Sequence, residues 1–499
     1  MKQSVTIVGG GLGGLFCGAI LSKDGLQVRV LERHCVAGGG LHTFRRNGIE
    51  FETGLHYVGG FKEGDILNKI CSYLGIMDKL SFKDMSEDCF DTVLIGSDNA
   101  RYGMSCGVDR FVGNLVTQFP EEEQNIRNYI SALYAICDKI PLNRLELSGG
   151  ASFDAFEESD VAIDDFIARY TSNKKLQAIL AWNNILYSGQ PHKTPVFVAA
   201  LITKLYIDGA TRFVGSGKQL ADALCDLITS SGGEVITGKE VNHIEITNKE
   251  VEYLCTTDGN RYSSDYYIFS PHPLKMLKMS TERAFSKAFT SRVEQMEDSY
   301  SMFTLFIEMK EHSFPYLNHN IFFYDDYESI WNCSEYTEED FPREIMMMTP
   351  PVTGDDKWAK KMIIHSVMRY DSVSMWAGTS VGKRGDEYLA FKERCTERVM
   401  NKLRTIYPDI DSSVSRIISA TPLTVRDYLG TINGSVYGTV YDCNHYEKMY
   451  MSTRTKVNNL YLTGQNVRLH GICGVPVTAI ETCGCIVGLE HLLNKINNE

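Results

Sequence analysis

The sequence predicts an α/β fold: a parallel sheet gathered from discontinuous stretches of chain, into which a second, α+β unit is inserted. Three observations predict it. The chain opens on a strand, a glycine turn, a helix and a second strand, "VTIVGGGLGGLFCGAILSKDGLQVRVLER". Near its other end stands a further short apolar strand, loop and helix, "NNLYLTGQNVRLHGICGVPVTAIETCGCIVGLEHLL" (458–493). The long stretches between are richer in aromatics and methionine, as in "NHNIFFYDDYESIWN" (318–332) and "REIMMMTPP" (343–351).

Each opening element has a physical reason. Val5–Val8 is a short apolar run suited to a strand buried on both faces. Gly9, Gly11 and Gly14 form G-x-G-x-x-G. The first glycine permits the tight turn, the second lets backbone approach a pyrophosphate, and the third lets helix and strand pack closely. A helix then runs to about Lys23, with Gly18 placed for close packing against the sheet, and its N-terminus offers free N–H groups to phosphate. Val28–Leu31 is the next strand. It ends on Glu32, 21 residues after Gly11, where an acid accepts hydrogen bonds from ribose hydroxyls and disfavours a 2′-phosphate. This is a dinucleotide site.

The stretch "GGGLHTFRRNGIEFETGLHYVGG" (38–60) selects the dinucleotide. An NAD protein would continue with helix and strand. A glycine cluster just past the ribose acid instead keeps backbone close to a long cofactor that runs deep into the protein, which suits FAD. At the far end, "LYLTG" is a buried strand. A helix is expected to start near Gly474, with Pro476 in its first turn, where a missing N–H costs nothing. Its positive end would face the polar edge of the cofactor. A middle segment, "TRFVGSGKQLADALCDLITSSGGEVITGKEVNHIEI" (211–246), holds a turn, a helix and two strands, and "DYYIFSPHPLKML" (265–277) adds another strand. The expected layout is a Rossmann-like FAD-binding domain over 1–80, 205–275 and 455–499, with a substrate domain over 81–204 and 276–454.

Bulk properties exclude several classes. At 499 residues, 43% hydrophobic and 23% charged, the chain reads as an ordinary soluble protein of more than one domain. A net charge of -13 with no dense Lys/Arg block argues against nucleic acid, since phosphate neutralisation needs clustered cations. "TPVFVAALITKLYI" (194–207) is too short to span a bilayer and reads as a buried helix. No signal peptide is expected. The 14 cysteines are scattered, and Cys483 and Cys485 lack a second ligand pair at zinc spacing, so no metal is expected and the thiols read as reduced. The expected location is cytoplasmic, with peripheral membrane contact left open.

The motif "VTIVGGGLGGL…VRVLER…AGGGLHTFRRNGIEFETGLHYVGG" resembles the family of FAD-dependent oxidoreductases comprising retinol saturases, carotenoid isomerases and bacterial phytoene desaturases. The likeness continues through "VAALITKLYIDGATRFVGSGKQLADAL", "TPLTVRDYLGTINGSVYGTVYD" (421–442) and "LYLTGQNVRLHGICGVP", so it spans nearly the whole chain. The resemblance implies two-domain flavoproteins of the amine-oxidase type that act on C=C bonds of long polyenes or isoprenoids, exchanging hydride with flavin N5. It places Gly9, Gly11 and Gly14 at the pyrophosphate, Glu32 at the adenosine ribose with Arg33 beside it, and Gly38 and Gly39 along the cofactor's middle. Leu55 and His56 fall near the isoalloxazine and Val241 at the adenine. Gly464 falls at the pyrophosphate or ribityl chain, and Val475 at the pyrimidine edge. Gln465 stands where many such flavoproteins have Asp; its amide still hydrogen-bonds a ribityl chain. Gly40 stands where amine oxidases have Arg, which argues against amine oxidation.

Hydrogen transfer at C=C also needs a group that supplies or removes a proton. His56 and His470 are the candidates, because imidazole exchanges protons near neutral pH. Tyr57 and Tyr437 are further polar groups in the same motifs. Cys473 reads as a packed thiol rather than a covalent flavin attachment. The resemblance implies an apolar small-molecule substrate, and with no second glycine signature for NAD(P)H the electron donor or acceptor is expected to be external. The competing readings are an FAD-dependent amine oxidase and a non-enzymatic prenyl-lipid escort on the same fold.

Overall fold

Two sheets dominate the computed structural model, which describes residues 2–147, 160–354, 357–445 and 451–498. Residues 148–159, 355–356 and 446–450 of the expected substrate domain lie outside the described residues. The first sheet is parallel throughout, in the order Leu460–Leu462, Tyr266–Phe269, Ser4–Val8, Gln27–Leu31, Glu234–Ile236. It thus draws on both ends and the middle of the chain. Its side chains alternate between two cores, as a period of two requires. Val5, Ile7, Val28, Val30 and Ile268 pack on the helices Leu12–Lys23, Lys218–Ser230 and Gly471–Val487. Val8, Leu31, Tyr267, Phe269, Leu460 and Leu462 face an antiparallel meander of Val241–Thr247, Glu250–Thr256 and Arg261–Tyr262.

Gly14 makes the close helix–strand contact that the spacing implies, and Gly18 brings one refinement. A Cβ on Gly14 would overlap the carbonyl oxygen of Gly9. A Cβ on Gly18 would stand 2.7 Å from Ile228 Cδ1 and 3.3 Å from Val30, so the tightest contact of Gly18 is with the helix Lys218–Ser230 rather than with the sheet. The middle segment differs more. Only Glu234–Ile236 joins the parallel sheet. Thr211–Phe213 pairs antiparallel with Phe82–Asp84, and Val241–Thr247 begins the meander. Short apolar strands carry no signal for which partner they take, which is settled by tertiary packing.

The second sheet has seven strands, in the order Val414–Ala420, Ser301–Met309, Lys361–Met368, Glu344–Met348, Asn320–Tyr324, Asp91–Ile95, Ala100–Met104. All pairs are antiparallel except Asn320–Tyr324 with Asp91–Ile95. One face (Phe303, Leu305, Met347, Ile364) lies on the helix Asp386–Ile406. The other (Met302, Phe306, Met346, Ile363, Val367) packs with the helical layer that includes Val196–Asp208. That helix is largely buried, and among the described residues no helix is long and apolar enough to cross a membrane.

The glycine-rich stretch 38–60 bridges the sheets. After a short turn at Gly39–Leu41, it forms a hairpin of Thr43–Arg46 with Ile49–Glu52. Phe44 and Phe51 of the hairpin pack edge-on against Phe306 of the second sheet, with centroids 4.9 and 5.7 Å away. Gly48, at φ +80°, makes the hairpin turn.

Candidate active site

A cavity of about 450 Å³ runs from the carboxyl ends of the parallel strands to the second sheet. Its first end has bare backbone for a floor. Gly9, Gly11, Gly39 and Gly464 line it, at φ +93°, +56° and +93° for Gly9, Gly39 and Gly464, conformations that glycine adopts without strain. Gly11 caps the helix Leu12–Lys23, and no side chain among the described residues occupies that cap. The helix's first N–H groups therefore remain available to an anion. Glu32 lies on the wall and is almost wholly buried. One carboxylate oxygen accepts the Gly10 N–H and the other the His34 N–H, both at 2.7 Å. Each keeps a lone pair for a ribose hydroxyl. Arg33 and Lys275 add cations at this end; burial, helped by the Arg33 charge, brings Lys275 down to about 8. Backbone floor, free helix N-terminus and buried acid fit the diphosphate and ribose of FAD.

Of the residues expected around the cofactor, Gly9, Gly11, Glu32, Arg33, Gly39, Leu55, His56, Val241, Gly464, Gln465 and Val475 all lie on this wall. Gly14 and Gly38 do not. Gly14 serves the helix–strand contact, and Gly38 at φ +129° donates its N–H to the Gly10 carbonyl at 2.7 Å, fixing the loop behind the floor. The helix Gly471–Val487 starts three residues earlier than expected, with His470 as its N-cap. Pro476 is therefore inside the helix, and the carbonyl four residues back, on the cavity-lining Ile472, has no N–H at 476 to accept from. We expect Glu32→Ala to weaken FAD retention by about 10–100-fold, the value of charge-assisted hydrogen bonds. Flavin absorbance per mole of purified protein, before and after dialysis, measures it; undiminished flavin would remove Glu32 from the site.

The structure separates the two histidines. His56 lies on the main cavity; His470 does not. His56 belongs to a buried chain of polar groups. Its Nε2 lies 2.7 Å from Nε2 of His365, and His365 Nδ1 lies 2.8 Å from the Thr304 hydroxyl. On its other side, His56 Nδ1 is 3.4 Å from a Glu52 carboxylate oxygen. The second Glu52 oxygen accepts from Lys361 Nζ at 3.2 Å, and Lys361 also donates to the carbonyls of Glu50 and Gly215 at 2.9 and 3.2 Å. Burial would raise the Glu52 carboxyl, but the Lys361 charge and the His56 contact outweigh it and hold Glu52 below the usual carboxylate range. Burial and the neighbouring His56 hold His365 well below the ordinary imidazole value. His365 is therefore the ring of the pair that disfavours a charge, and His56 is the one that faces a carboxylate. One consistent assignment of hydrogens runs Thr304 hydroxyl to His365 Nδ1, His365 Nε2–H to His56 Nε2, and His56 Nδ1–H to Glu52.

His365, Thr304, Glu52 and Lys361 went unread in the sequence. In "KMIIHSVM", Lys361, Ile363, His365 and Val367 alternate onto one face, which puts a histidine and a lysine among apolar neighbours. Thr304 is the directly paired residue on the next strand.

The other candidates have different tasks. The Tyr57 hydroxyl donates to Asp91 at 3.2 Å, and Asp91 also accepts from Trp182 and Asn320. Burial raises Asp91 to about 7 and lifts Tyr57 well above its ordinary value, so Tyr57 is a fixed wall whose ring stacks on Tyr206 at 4.5 Å. Tyr437 lines the cavity. Cys473 is raised by burial, and its Sγ lies 3.5 Å from the Gly59 carbonyl, as a packed thiol should. Cys483 Sγ contacts the Cys17 carbonyl at 3.7 Å between two helices.

Comparison with known proteins agrees with this geometry. The model of the flavin-containing amine oxidoreductase family matches residues 12–486. All-trans-retinol 13,14-reductase of Rattus norvegicus is 26% identical over 95% of this chain and 84% of its own length. The 4,4'-diapophytoene desaturase of Staphylococcus haemolyticus is 22% identical over 95% and 96% of the two chains. The crystal structure of a CLA-producing fatty acid isomerase from P. acnes superposes with a TM-score of 0.62 at 14% identity, covering 97% of this chain and 98% of that one. The chain belongs to the flavin-containing amine oxidoreductase family, and it is an oxidoreductase whose cofactor is FAD.

Proposed function

We propose that the protein moves hydrogen at a carbon–carbon double bond of an elongated apolar polyene or isoprenoid. The observation that carries this reading is the Thr304–His365–His56–Glu52 chain, which opens between the glycine-floored end of the cavity and the apolar walls beyond it. When bound, the flavin supplies hydride exchange with a substrate carbon. Reduction of a C=C bond needs one proton besides the hydride, and desaturation releases one. The His56–His365 pair delivers or collects that proton at the cavity wall, while Glu52 stabilises the charge that forms on His56. Ile185, Met302 and Met346 make the neighbouring wall apolar, which favours a hydrocarbon chain and keeps water from the reacting carbons. Names of relatives, a retinol reductase and a diapophytoene desaturase, support the same class of substrate.

The reading includes an external electron donor or acceptor, a cytoplasmic location and peripheral contact with membranes, where substrates of this class partition. An anaerobic assay tests it: enzyme with reduced or oxidised flavin is mixed with retinol, a linear carotene or putrescine, and products are read by mass. A gain of two mass units on a polyene means saturation, a loss means desaturation, and an unchanged mass with a new isomer means isomerisation. Turnover of putrescine with every polyene inert would overturn the reading in favour of amine oxidation.

A further inference from the structure

Beside the main cavity lies a smaller one, of about 90 Å³. The two share Leu186, Tyr206, Gly471 and Ile472 as wall residues. Val198, Leu201, Ile202 and Leu205, from one face of the helix Val196–Asp208, make most of the rest of the wall apolar. One strongly polar side chain stands on it. His470 is only 8% exposed, and neither ring nitrogen has a hydrogen-bond partner among the described residues. The rings of Tyr437 and Tyr441 pack around it, with centroids 5.7 and 5.2 Å away. The Tyr441 hydroxyl is engaged elsewhere, on the carbonyl of Arg468.

An imidazole buried without a partner forfeits the hydrogen bonds it made to water, so a native structure that keeps one calls for an explanation. A residue that served packing alone would be better replaced by an apolar ring. A ligand atom that hydrogen-bonds His470 would remove the deficit. That atom is not a carboxylate: the walls are apolar, burial brings His470 down to about 4 so that it stays neutral, and the nearby Arg468 is already matched by Glu481 at 2.9 Å. A buried anion without a free cation is too costly. A hydroxyl, which both donates and accepts, suits a neutral imidazole in either tautomer.

We propose that the small cavity is a terminal subsite in which His470 hydrogen-bonds the hydroxyl end of an elongated apolar alcohol, so that the substrate is an alcohol rather than a pure hydrocarbon. The inference rests on the apolar-substrate reading above but does not need its chemistry. It moves His470 from proton transfer to recognition. The hydroxyl lodges against His470, the chain passes Tyr206, which belongs to both walls, and the double bonds lie in the main cavity.

The test is equilibrium binding to the holoenzyme, measured by ultrafiltration, of two polyenes with the same carbon skeleton, one ending in a hydroxyl and the other in a methyl group. Wild type should bind the alcohol at least about tenfold more tightly, because the hydrocarbon leaves the imidazole unpaired. His470→Phe should abolish the preference, chiefly by weakening the alcohol, and His470→Gln, which keeps a donor and an acceptor, should retain part of it. Equal binding of the two polyenes by wild type, no binding of the alcohol, or an unchanged preference in His470→Phe overturns the subsite. Should His470→Phe fail to fold, the wild-type ratio and the Gln variant decide. Preferential binding with neither a change in product mass nor a new isomer would instead sink the proposed chemistry and leave the subsite standing.

Discussion

His365→Ala is expected to slow hydrogen transfer by roughly 10²–10³-fold with the flavin still in place, the range in which a positioned acid or base contributes. His365 stands on the second sheet, remote in sequence from the glycine floor, so its loss should not empty the cofactor site. His56→Ala should cost a similar factor. The decisive comparison is the double variant. Two rings that share one proton across 2.7 Å act as a unit, so removing both should cost little more than removing either. Rapid mixing of enzyme and substrate, with rates normalised to bound flavin, measures all three. Single variants within about fivefold of wild type, or costs that multiply in the double variant, would remove the pair from proton transfer.

Lys361→Met should destabilise the protein by about 3–5 kcal/mol, because it leaves the Glu52 carboxylate buried without its cation. Lys361 is 1% exposed at its side chain and Glu52 6%, so solvent screens neither. The lysine also holds the Glu50 and Gly215 carbonyls, which pins the hairpin of 43–52 to the second sheet. The sign of the pH dependence follows from Glu52. Its carboxyl sits below the ordinary value of 4.5 in the folded protein, so its contribution is present above pH 4.5 and is lost as pH falls through the folded value. Without Lys361, the burial that favours the protonated carboxyl is opposed only by the His56 contact. The variant's deficit should therefore be largest at neutral pH and narrow towards pH 4.5. Adding Glu52→Gln should recover part of the loss. Urea unfolding at pH 7.5 and 5 reads both effects, and a deficit below about 1 kcal/mol, or one that ignores pH, would contradict them.

The nucleotide end of the molecule was legible in the sequence, and the proton chain was not, for a physical reason. Gly9, Gly11, Gly14 and Glu32 sit close together along the chain because a strand, turn, helix and strand are local, and each residue type follows from a backbone demand. His56 was legible because it shares that stretch. Apart from Glu52, its chain partners Thr304 and His365 stand on the distant strands Ser301–Met309 and Lys361–Met368, and nothing in "KMIIHSVM" says which ring lies opposite. Only the register, which pairs Thr304 with His365 and turns both toward the hairpin, brings them together. His470 failed in the opposite way. Its motif pointed toward the flavin, but with the helix starting at Gly471 the side chain lies on a different cavity. A helix start three residues early is within the uncertainty of any boundary read from caps, yet here it decides the task of a side chain.

The order of strands in the parallel sheet also bears on how the protein is made. The strand next to Ser4–Val8 on one side is Tyr266–Phe269, and the edge beyond that is Leu460–Leu462, followed directly by the helix whose start walls the cofactor cavity. On the ribosome, the glycine floor emerges more than four hundred residues before the strand Leu460–Leu462 and the helix that follows it. Because a domain normally condenses as a unit once its chain is available, the nascent protein carries an open, half-built nucleotide site until that strand and helix are made. Capture of the cofactor then follows synthesis of Gly471–Val487, and the growing chain must keep its unpaired parallel strands shielded until Leu460–Leu462 arrives.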